Sequence, residues 1–529
     1  MEDVSSRNMM IDKIILKKRD EVRFDLIDVS PSILMELRDH FSFMAPNYRF
    51  HPLYKQKRWD GRIRLINLNE RPYSSLYIGL FPDLVQFCSD RGYSLEVDDD
   101  SFTKLSGFTE EDAVILDSIP KKYEPRGYQQ EAVISSINKQ RQIIWSAVGS
   151  GKSLILYLLS FWFIKKYQSE KKVLIVVPTT SLVSQMKGDF IDYSMNPDVF
   201  SPLIHEIYSG KEKHSISSPI IISTFQSLAG KMNDDWYDQF GMVIIDEAHR
   251  ATTKSLIGIL ENCTNCFMRI GTTGTIPGDK DQKTNEMSLR GLMGPIRQFT
   301  TTKELQEKKQ LAELDIQCLI TKHRDAASIK RFIDKEDVND PAKRYQQEVE
   351  YLCQHQQRNH LIVENALSHS KDINTLVLFN LVEKHGKILY EMAKEKLEED
   401  QSLERELFFI YGGTKTEERE AIRTHVEQKG KGCIIFASSS VFSTGINIKN
   451  LSCIIFAQSF KSQIRVIQSI GRGLRVSDNN DKTLLIDIID DLHPGRKSKK
   501  NYTFHHGIER LQHYTDQQWN YSIKELDIS

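Results

Sequence analysis

Ten short apolar runs, separated by longer segments with helical spacing, constrain the fold of this chain more than any other feature. Each run is rich in β-branched residues, as expected for strands buried on both faces of a parallel sheet that crossover helices cover. The first five, between residues 142 and 272, are QIIWS, VLIVVP, PIIIST, MVIID and FMRIGT. The second five, between residues 375 and 489, are TLVLFN, ELFFIYG, GCIIFAS, CIIFAQ and TLLIDII. The pattern predicts an α/β fold with two parallel-sheet domains in series.

The segments outside these runs suggest the domain boundaries. Residues 300–341 form a charged stretch between the two sets of apolar runs, and a helical run follows it. We therefore place the boundary between the two α/β domains near residue 305. Residues 1–100 are rich in basic and aromatic residues, and HPGRKSKKN, from residue 493, precedes a short helical tail. We predict a small α+β domain over residues 1–100 and two α/β domains over residues 101–305 and 306–529. We also expect that deleting residues 1–100 leaves the other two domains folded.

The overall composition excludes several classes of protein. The chain is 40% hydrophobic and 27% charged, which is the balance of a folded globular protein. Lys and Arg number 71 against 72 Asp and Glu, so a nucleic-acid site would have to be a local patch. The seven cysteines include one isolated CxxC pair, which favours reduced thiols over a zinc site. The N-terminus lacks the apolar core of a signal peptide, so we expect a cytoplasmic location.

The most specific local signal is SAVGSGKS, residues 146–153, between an apolar run and an apolar helix. In such a loop the backbone N–H groups and the helix N-terminus bind a phosphate group. Lys152 is predicted to reach the β- and γ-phosphates of ATP, and Ser153 to ligate Mg²⁺. Ser146 stands where the usual pattern has its first glycine. The predicted phosphate-binding residues are Gly149, Ser150, Gly151, Lys152 and Ser153.

A second signal, MVIIDEAHR, follows about a hundred residues later. It places Asp246 and Glu247 at the carboxyl end of a strand, where open α/β sheets bind ligands. Asp246 is predicted to hold Mg²⁺ and Glu247 to act as the general base on the attacking water. An acidic pair at a strand end is often only a helix cap or part of a solvated loop. The phosphate loop earlier in the chain favours the catalytic interpretation.

Together these motifs resemble those of the superfamily 2 helicases and translocases, in which DEAH is the Walker B tetrad. EPRGYQQ, with Arg126 and Gln129, resembles the adenine-reading Q motif. VVPTTSLVSQM and STFQSL resemble the strand-contacting motifs Ia and Ib, and GTTGT, residues 271–275, lies where the family couples hydrolysis to movement. The resemblance implies nucleic-acid contacts by Thr179, Thr224 and Gln226.

The second set of runs carries the remaining motifs. LVLF resembles motif IV, and SSSVFSTGINI resembles motif V, which implies nucleic-acid contacts by Thr444 and Gly445. QSIGRGLR resembles motif VI and implies a catalytic Gln468. Arg472 and Arg475 are three residues apart after a helical run, so both can reach a phosphate and stabilise the charge on the transferred phosphoryl group. Taken alone, the two arginines are equally compatible with a solvated basic helix face.

A closer resemblance is to the UvsW helicases of T-even-like bacteriophages. The matching segments are WDGRIRL in the N-terminal region, VFSTGI and KNL near motif V, and HGIERLQHYTDQQWNY near the C-terminus. This resemblance implies fork regression, junction branch migration and R-loop unwinding in replication, recombination and repair. It implies branched, forked or junction DNA as the partner, with R-loop RNA and phage recombination or single-strand-binding proteins as further candidates. It also implies the cytoplasm of an infected bacterial host and no membrane partner.

The N-terminal region contains its own nucleic-acid candidate, the segment 48–64. It has six Lys or Arg and one acid, interleaved with aromatic residues, which suits binding to phosphates and unstacked bases. The alternative is a hairpin around Asp60 and Gly61 whose aromatic residues form a core. The predicted contacts are Lys55, Lys57, Arg58, Trp59 and Arg62.

Three rival functions remain open. An RNA helicase is one, since DEAH tetrads serve both nucleic acids. A binding or annealing protein that ATP only switches is the second. A nuclease-coupled motor is the third, but Asp98 stands where the lysine of that pattern is required.

Overall fold

Two large parallel sheets, one smaller sheet and a two-stranded ribbon organise the chain in the computed structural model. Two compact units are found, one of residues 1–146 and 151–299 and the other of residues 147–150 and 300–529. No helix among the described residues is long and apolar enough to cross a membrane. The described residues are 13–45, 48–68, 72–98, 107–168, 170–208, 217–230, 232–250, 254–274, 280–325, 327–329, 340–369, 372–445, 448, 450–459, 470, 482–492 and 501–528.

The N-terminal layer of the first unit is a five-stranded sheet flanked by helices. Its elements are β1 (Lys13–Lys18), β2 (Arg23–Ile27), α1 (Pro31–His40), β3 (Ser42–Met44), a 3-10 turn (Tyr48–Phe50), α2 (Pro52–Lys55), β4 (Arg62–Arg64), β5 (Ile66–Asn67), β6 (Ser74–Tyr77), a 3-10 turn (Ile78–Leu80), α3 (Phe81–Arg91) and β7 (Ser94–Val97). The strand order is β5-β6-β2-β1-β7, and only β7 pairs in parallel, with β1. β3 and β4 form the separate antiparallel ribbon.

The rest of the first unit is a seven-stranded sheet in the order β10-β11-β9-β12-β13-β8-β14. Its strands are β8 (Arg141–Ser146), β9 (Lys172–Val177), β10 (Ile204–Ile207), β11 (Ile220–Thr224), β12 (Phe240–Asp246), β13 (Met268–Thr273) and β14 (Ile296–Thr300). The helices are α4 (Glu110–Asp117), α5 (Gly127–Lys139), α6 (Lys152–Lys166), α7 (Thr180–Tyr193), α8 (Pro197–Phe200), α9 (Phe225–Leu228), α10 (Asp234–Tyr237), α11 (Lys254–Asn262) and α12 (Lys280–Met293). Every residue of α6 from 154 to 164 is buried, so the apolar segment is a core helix.

The second unit contains a second seven-stranded sheet, in the order β17-β18-β16-β19-β20-β15-β21, with parallel pairing throughout. Its strands are β15 (Glu313–His323), β16 (Thr375–Phe379), β17 (Glu406–Ile410), β18 (Cys433–Ser438), β19 (Cys453–Phe456), β20 (Lys482–Asp491) and β21 (Tyr521–Ile528). Its helices are α13 (Thr302–Glu307), α14 (Pro341–Gln354), α15 (Gln356–Ser368), a π-helical turn (Val382–Gly386), α16 (Lys387–Glu399), α17 (Thr416–Lys429), α18 (Ser439–Gly445) and α19 (Tyr502–Asp516).

The predicted tandem α/β fold is confirmed, because all ten apolar runs are strands of the two large sheets. Four further strands, β10, β14, β15 and β21, complete these sheets. The C-terminal tail was predicted to be helical only. Its helix α19 is instead followed by β21, which pairs with β15 at the edge of the second sheet.

The N-terminal layer shares one hydrophobic core with the first large sheet. Leu80 and Leu84 of the layer belong to the same buried cluster as Leu289 and Met293 of α12, and the opposite face of the sheet has a separate core. Removal of residues 1–100 would expose this shared core to water. We therefore expect deletion of residues 1–100 to destabilise the first unit, whereas the domain division predicted from the sequence would leave the rest folded.

Polar contacts reinforce this packing. Arg290 of α12 donates to both carboxylate oxygens of Asp83, each at 2.8 Å. Glu261 of α11 accepts hydrogen bonds from Arg23 at 3.0 Å and from the Tyr77 hydroxyl at 2.6 Å. These partly buried contacts fix the orientation of the layer against α11 and α12.

Gly79 lies at the closest approach of the two layers. A Cβ there would be 2.1 Å from the carbonyl oxygen of Arg290 and 2.5 Å from that of Gly291. Because backbone atoms cannot yield as a flexible side chain does, Gly79→Ala should destabilise the first unit by about 1–3 kcal/mol, measured by thermal unfolding. The matched control is Gly188→Ala in α7, where a Cβ meets nothing within 4 Å. Equal melting temperatures for the two variants would contradict the described packing.

Candidate functional site

The predicted nucleotide motifs follow strands of the first unit that end at one edge of its large sheet. β8, β13 and β12 are neighbours in the sheet, and they lead into the loop 147–151, the GTTGT segment and the DEAH tetrad. β9 and β11 come next and lead into motifs Ia and Ib. Since these strands are parallel, their carboxyl ends share the edge where open α/β sheets bind ligands.

The loop of residues 147–151 has the backbone conformation that phosphate binding requires. Gly149 and Gly151 have φ of 82° and 74°, in the left-handed region that favours glycine. Gly151 precedes the first residue of α6, so the N-terminus of this helix points into the loop. The Gln129 amide donates to the Gly151 carbonyl at 3.2 Å and accepts from the Arg126 backbone at 2.8 Å. Gln129 thus ties the predicted Q motif to the loop.

Lys152 and Asp246 form the charged centre of the site. The Lys152 ammonium donates to the Ser146 carbonyl at 3.2 Å. Asp246 accepts a hydrogen bond from the Thr272 hydroxyl at 2.7 Å. Burial and the neighbouring charge of Glu247 raise the pKa of the Asp246 carboxyl, while the hydrogen bond from Thr272 and the charge of Lys152 oppose that rise. A cation bound here would offset the electrostatic repulsion between the adjacent carboxylates of Asp246 and Glu247.

Glu247 adopts an unusual backbone conformation for a residue other than glycine. Its φ is 53°, where a side chain is strained, and such strain concentrates at functional sites. His249 lies 3.2 Å from the Glu247 carboxylate and 3.2 Å from the Thr273 hydroxyl of β13. His249 and Thr273 therefore connect the DEAH tetrad to the GTTGT segment. The sequence motifs contain both residues, but only the structure identifies this contact.

Ser153 is the second residue of α6, and its hydroxyl is 2.8 Å from the hydroxyl of Tyr193 at the end of α7. Sequence reasoning missed Tyr193, because no motif contains it. Carboxylate and hydroxyl oxygens such as those of Asp246 and Ser153 are hard ligands that suit Mg²⁺, which also takes ligands from substrate phosphates. Among the described residues no group of three or more His, Cys, Asp or Glu could hold a metal ion by itself.

The three predicted nucleic-acid residues of the first unit differ in exposure. Gln226 lies exposed on the single-turn helix α9. Thr179 precedes α7 and is half-buried, with its hydroxyl 3.0 Å from that of Ser181. Thr224 is only 3% exposed and shares a hydrogen bond with Ser227. Gln226 is thus the most accessible of the three for contact with a ligand.

In the second unit, motif IV lies within β16, and motif V begins at the end of the neighbouring strand β18. Asn380, directly after β16, accepts a hydrogen bond from the Ser439 hydroxyl, and its backbone donates to Gln458. Sequence reasoning missed these three residues, which join the ends of β16, β18 and β19. Thr444 and Gly445 lie at the end of α18, and their side chains are outside the description. Gln468, Arg472 and Arg475 lie outside the described residues.

The basic segment of the N-terminal layer lies on its surface. Trp59 is half-buried, and its indole Nε1 donates to the Arg62 carbonyl at 2.9 Å. The cationic candidates are all exposed: Lys55, Lys57, Arg58 and Arg62.

Three protein families match the chain in sequence. Residues 15–98 match the family described as DNA helicase UvsW, N-terminal. Residues 122–278 match the type III restriction enzyme res subunit, and residues 357–477 match the helicase conserved C-terminal domain. The three matches follow one another along the chain and span most of the N-terminal layer, β8 to β13 of the first large sheet and β16 to β19 of the second.

Individual proteins extend these matches over the whole chain. The ATP-dependent DNA helicase uvsW of Enterobacteria phage T4 is 34% identical over 516 residues, which cover 95% of this chain and 97% of the phage protein. The DNA 3'-5' translocase XPB2 of Sulfurisphaera tokodaii is 24% identical, over 71% of this chain and 84% of that protein.

Two solved structures are similar as well. The crystal structure of T4 UvsW is 31% identical over 97% of this chain and 99% of its own, with a TM-score of 0.49. The type ISP restriction-modification enzyme LlaBIII bound to DNA is 16% identical, over 77% of this chain and 32% of its own, with a TM-score of 0.55. The latter likeness concerns the fold alone.

Proposed function

The chain belongs to the UvsW family of DNA helicases, and from that membership we propose that it hydrolyses MgATP to remodel branched DNA. It is an ATP-dependent DNA helicase with two tandem RecA-like domains and a small N-terminal domain. Fork regression, junction branch migration and R-loop unwinding are the proposed reactions. The proposed setting is replication, recombination and repair in the cytoplasm of an infected bacterial host.

The observation that carries the proposal is the shared edge of the first large sheet. The nucleotide motifs follow β8, β13 and β12, and the candidate nucleic-acid motifs follow β9 and β11, the next strands in the same sheet. Neighbouring strands are about 4.8 Å apart. A displacement of the backbone at the nucleotide is therefore transmitted over a short distance, through hydrogen-bonded strands, to residues such as Thr179 and Gln226.

At the nucleotide, we assign one role to each residue. Gly149, Ser150 and Gly151 surround the phosphates through their backbone, and Lys152 neutralises the β- and γ-phosphates. Mg²⁺, when bound, screens the phosphate charge, and Ser153 and Asp246 would hold it. Glu247 accepts the proton of the attacking water, and Arg126 and Gln129 contact the adenine. Gln468, Arg472 and Arg475 are proposed to act on the transferred phosphoryl group, as motif VI implies.

DNA is the proposed track of this motor. Thr179, Gln226 and Thr444 are the proposed strand contacts, with Thr224 and Gly445 shaping the backbone beside them. The exposed cations of the N-terminal layer, Lys55, Lys57, Arg58 and Arg62, are proposed to hold phosphates of the branched substrate. We retain residues 1–100, 101–305 and 306–529 as the functional divisions of the chain. R-loop RNA and phage recombination or single-strand-binding proteins are the proposed further partners.

The ATPase rate with different nucleic acids tests this proposal. At one salt concentration, fork and four-way-junction DNA should stimulate hydrolysis more than single strands or blunt duplex, and RNA should leave it near the basal rate. Stimulation by RNA equal to that by DNA would instead favour an RNA helicase. A single turnover without further cycles would favour a protein that ATP only switches.

A further inference from the structure

Residues 48–64 of the N-terminal layer form a largely exposed segment, called here the tip. Two pairs of rings support it: Tyr48 with Tyr54, at 4.8 Å between centroids, and His51 with Trp59, at 5.1 Å, both edge to face. Gly61 has a φ of 81°, and a Cβ there would be 2.6 Å from the Tyr48 ring. These contacts give the tip a defined shape before any ligand binds.

This internal packing uses most of the aromatic rings and leaves one outside. Phe50 is 74% exposed, although its large apolar ring gains free energy when removed from water. Leu53, on the following helical turn, is 41% exposed. Trp59, by contrast, is engaged with His51 and with the Arg62 carbonyl. The ring available for an external ligand is therefore that of Phe50.

The charges in the same segment as Phe50 indicate the class of ligand. Arg49, Lys55, Lys57, Arg58 and Arg62 are exposed, and none of them forms an ion pair within the described part of the chain. The single acid of the tip, Asp60, is already paired with Arg64, which lowers the pKa of its carboxyl. The tip thus exposes one apolar ring together with five cationic side chains that have no acidic partner in the described part of the chain. A polyanion with exposed planar groups is complementary to it.

We propose that Phe50 stacks on an unpaired DNA base at the branch point while the surrounding cations hold the flanking phosphates. This inference rests on the proposed function and adds the feature of DNA that the tip recognises. Bases inside a duplex are already stacked on their neighbours, so the ring gains contact only where a base is unpaired. Trp59 acts here as a support for the tip rather than as the stacking residue.

The tip also belongs to a layer that is fixed to the nucleotide-binding sheet. The contacts of Gly79 and Asp83 with α12 lie in the same layer and share its core. A base held by Phe50 is consequently held at a constant position relative to Lys152 and Asp246. Phe50 can therefore stay bound at the branch point while the proposed DNA contacts of the helicase motifs change during the ATPase cycle.

Equilibrium binding by the full-length protein tests the inference. The two probes are a fork with unpaired bases at its branch point, carrying 2-aminopurine there, and a blunt duplex of equal length, at one salt concentration. Phe50→Ala should weaken fork binding about 10-fold, change duplex binding less than about 2-fold and abolish the fluorescence change of 2-aminopurine. Phe50→Trp should restore both signals. Met35→Ala on α1, which removes another exposed apolar side chain (46%), should change neither.

Equal losses on fork and duplex, or no loss on the fork, would overturn the stacking role. A second variant separates this outcome from failure of the proposed function. Replacing Lys55 and Arg58 with Ala should weaken binding to both probes and lower the salt slope by about two. Lys57, which has a φ of 56°, is left in place so that the unusual backbone at this turn is not altered. If the double variant binds both probes normally, the tip is not a DNA site; if only Phe50→Ala is silent, the stacking role alone is wrong.

Discussion

Replacing Lys152 with Ala is expected to reduce ATP hydrolysis by roughly 10³-fold, the loss seen when a group aimed at developing charge is removed. The ammonium lies over the phosphate loop, bonded to the Ser146 carbonyl, and electrostatically opposes the rise in the pKa of Asp246. DNA binding should change little, since the proposed strand contacts follow other strands of the sheet. Steady-state ATPase rates and fork binding measure the two effects.

The matched control is Lys165→Ala, at the opposite end of the same helix. Lys165 donates to Ser118 and has no part in the proposed site. Alanine is a good helix former at both positions, so both variants should remain folded. Near-normal hydrolysis by a folded Lys152→Ala variant would refute the assignment of the loop as the ATP site.

Glu247→Gln should still bind ATP but hydrolyse it roughly 10²–10⁴-fold more slowly, because an amide cannot accept the proton of the attacking water. The backbone at this position tolerates glutamine: Gln140 and Gln518 have φ of 58° and 56°, close to the 53° of Glu247. Single-turnover hydrolysis and binding of a fluorescent ATP analogue separate the two properties.

Asp246→Asn provides the contrast for Glu247→Gln. Asp246 is proposed as the Mg²⁺ ligand, so its variant should need more Mg²⁺ for nucleotide binding as well as losing turnover. If Glu247→Gln loses nucleotide binding and Asp246→Asn retains it, the division of roles between the two carboxylates is reversed.

All interior strands of the two large sheets except β15 were predictable from the sequence, because burial on two faces imposes a continuous apolar run. Three of the four missed strands, β10, β14 and β21, lie at sheet edges, where one side has no neighbouring strand. β21 is almost entirely exposed, so it carries no apolar run. β15, next to it, mixes buried residues with partly buried and exposed ones in ELDIQCLITKH, so its polar and charged residues interrupt the apolar run.

The nucleotide residues could be proposed from the sequence for a different reason: phosphate binding demands fixed spacings within one loop. Contacts between segments remote in sequence have no such signature. Tyr193 meets Ser153 across 40 residues, and Gln458 meets Asn380 across 78. The basic segment suggested a DNA contact by Trp59, but composition alone cannot distinguish a ring that supports the tip from one that points outward.

The core shared by the N-terminal layer and the first large sheet limits how this protein can be recombined with others. A chimaera that exchanges only residues 13–98 would separate Glu21 from Arg141, Asp83 from Arg290 and Leu80 from the apolar face of α12. Transfer of branch recognition to another motor therefore requires α11 and α12 to be transplanted with the layer. For the same reason, the proposed branch recognition and the proposed ATP site would be inherited together.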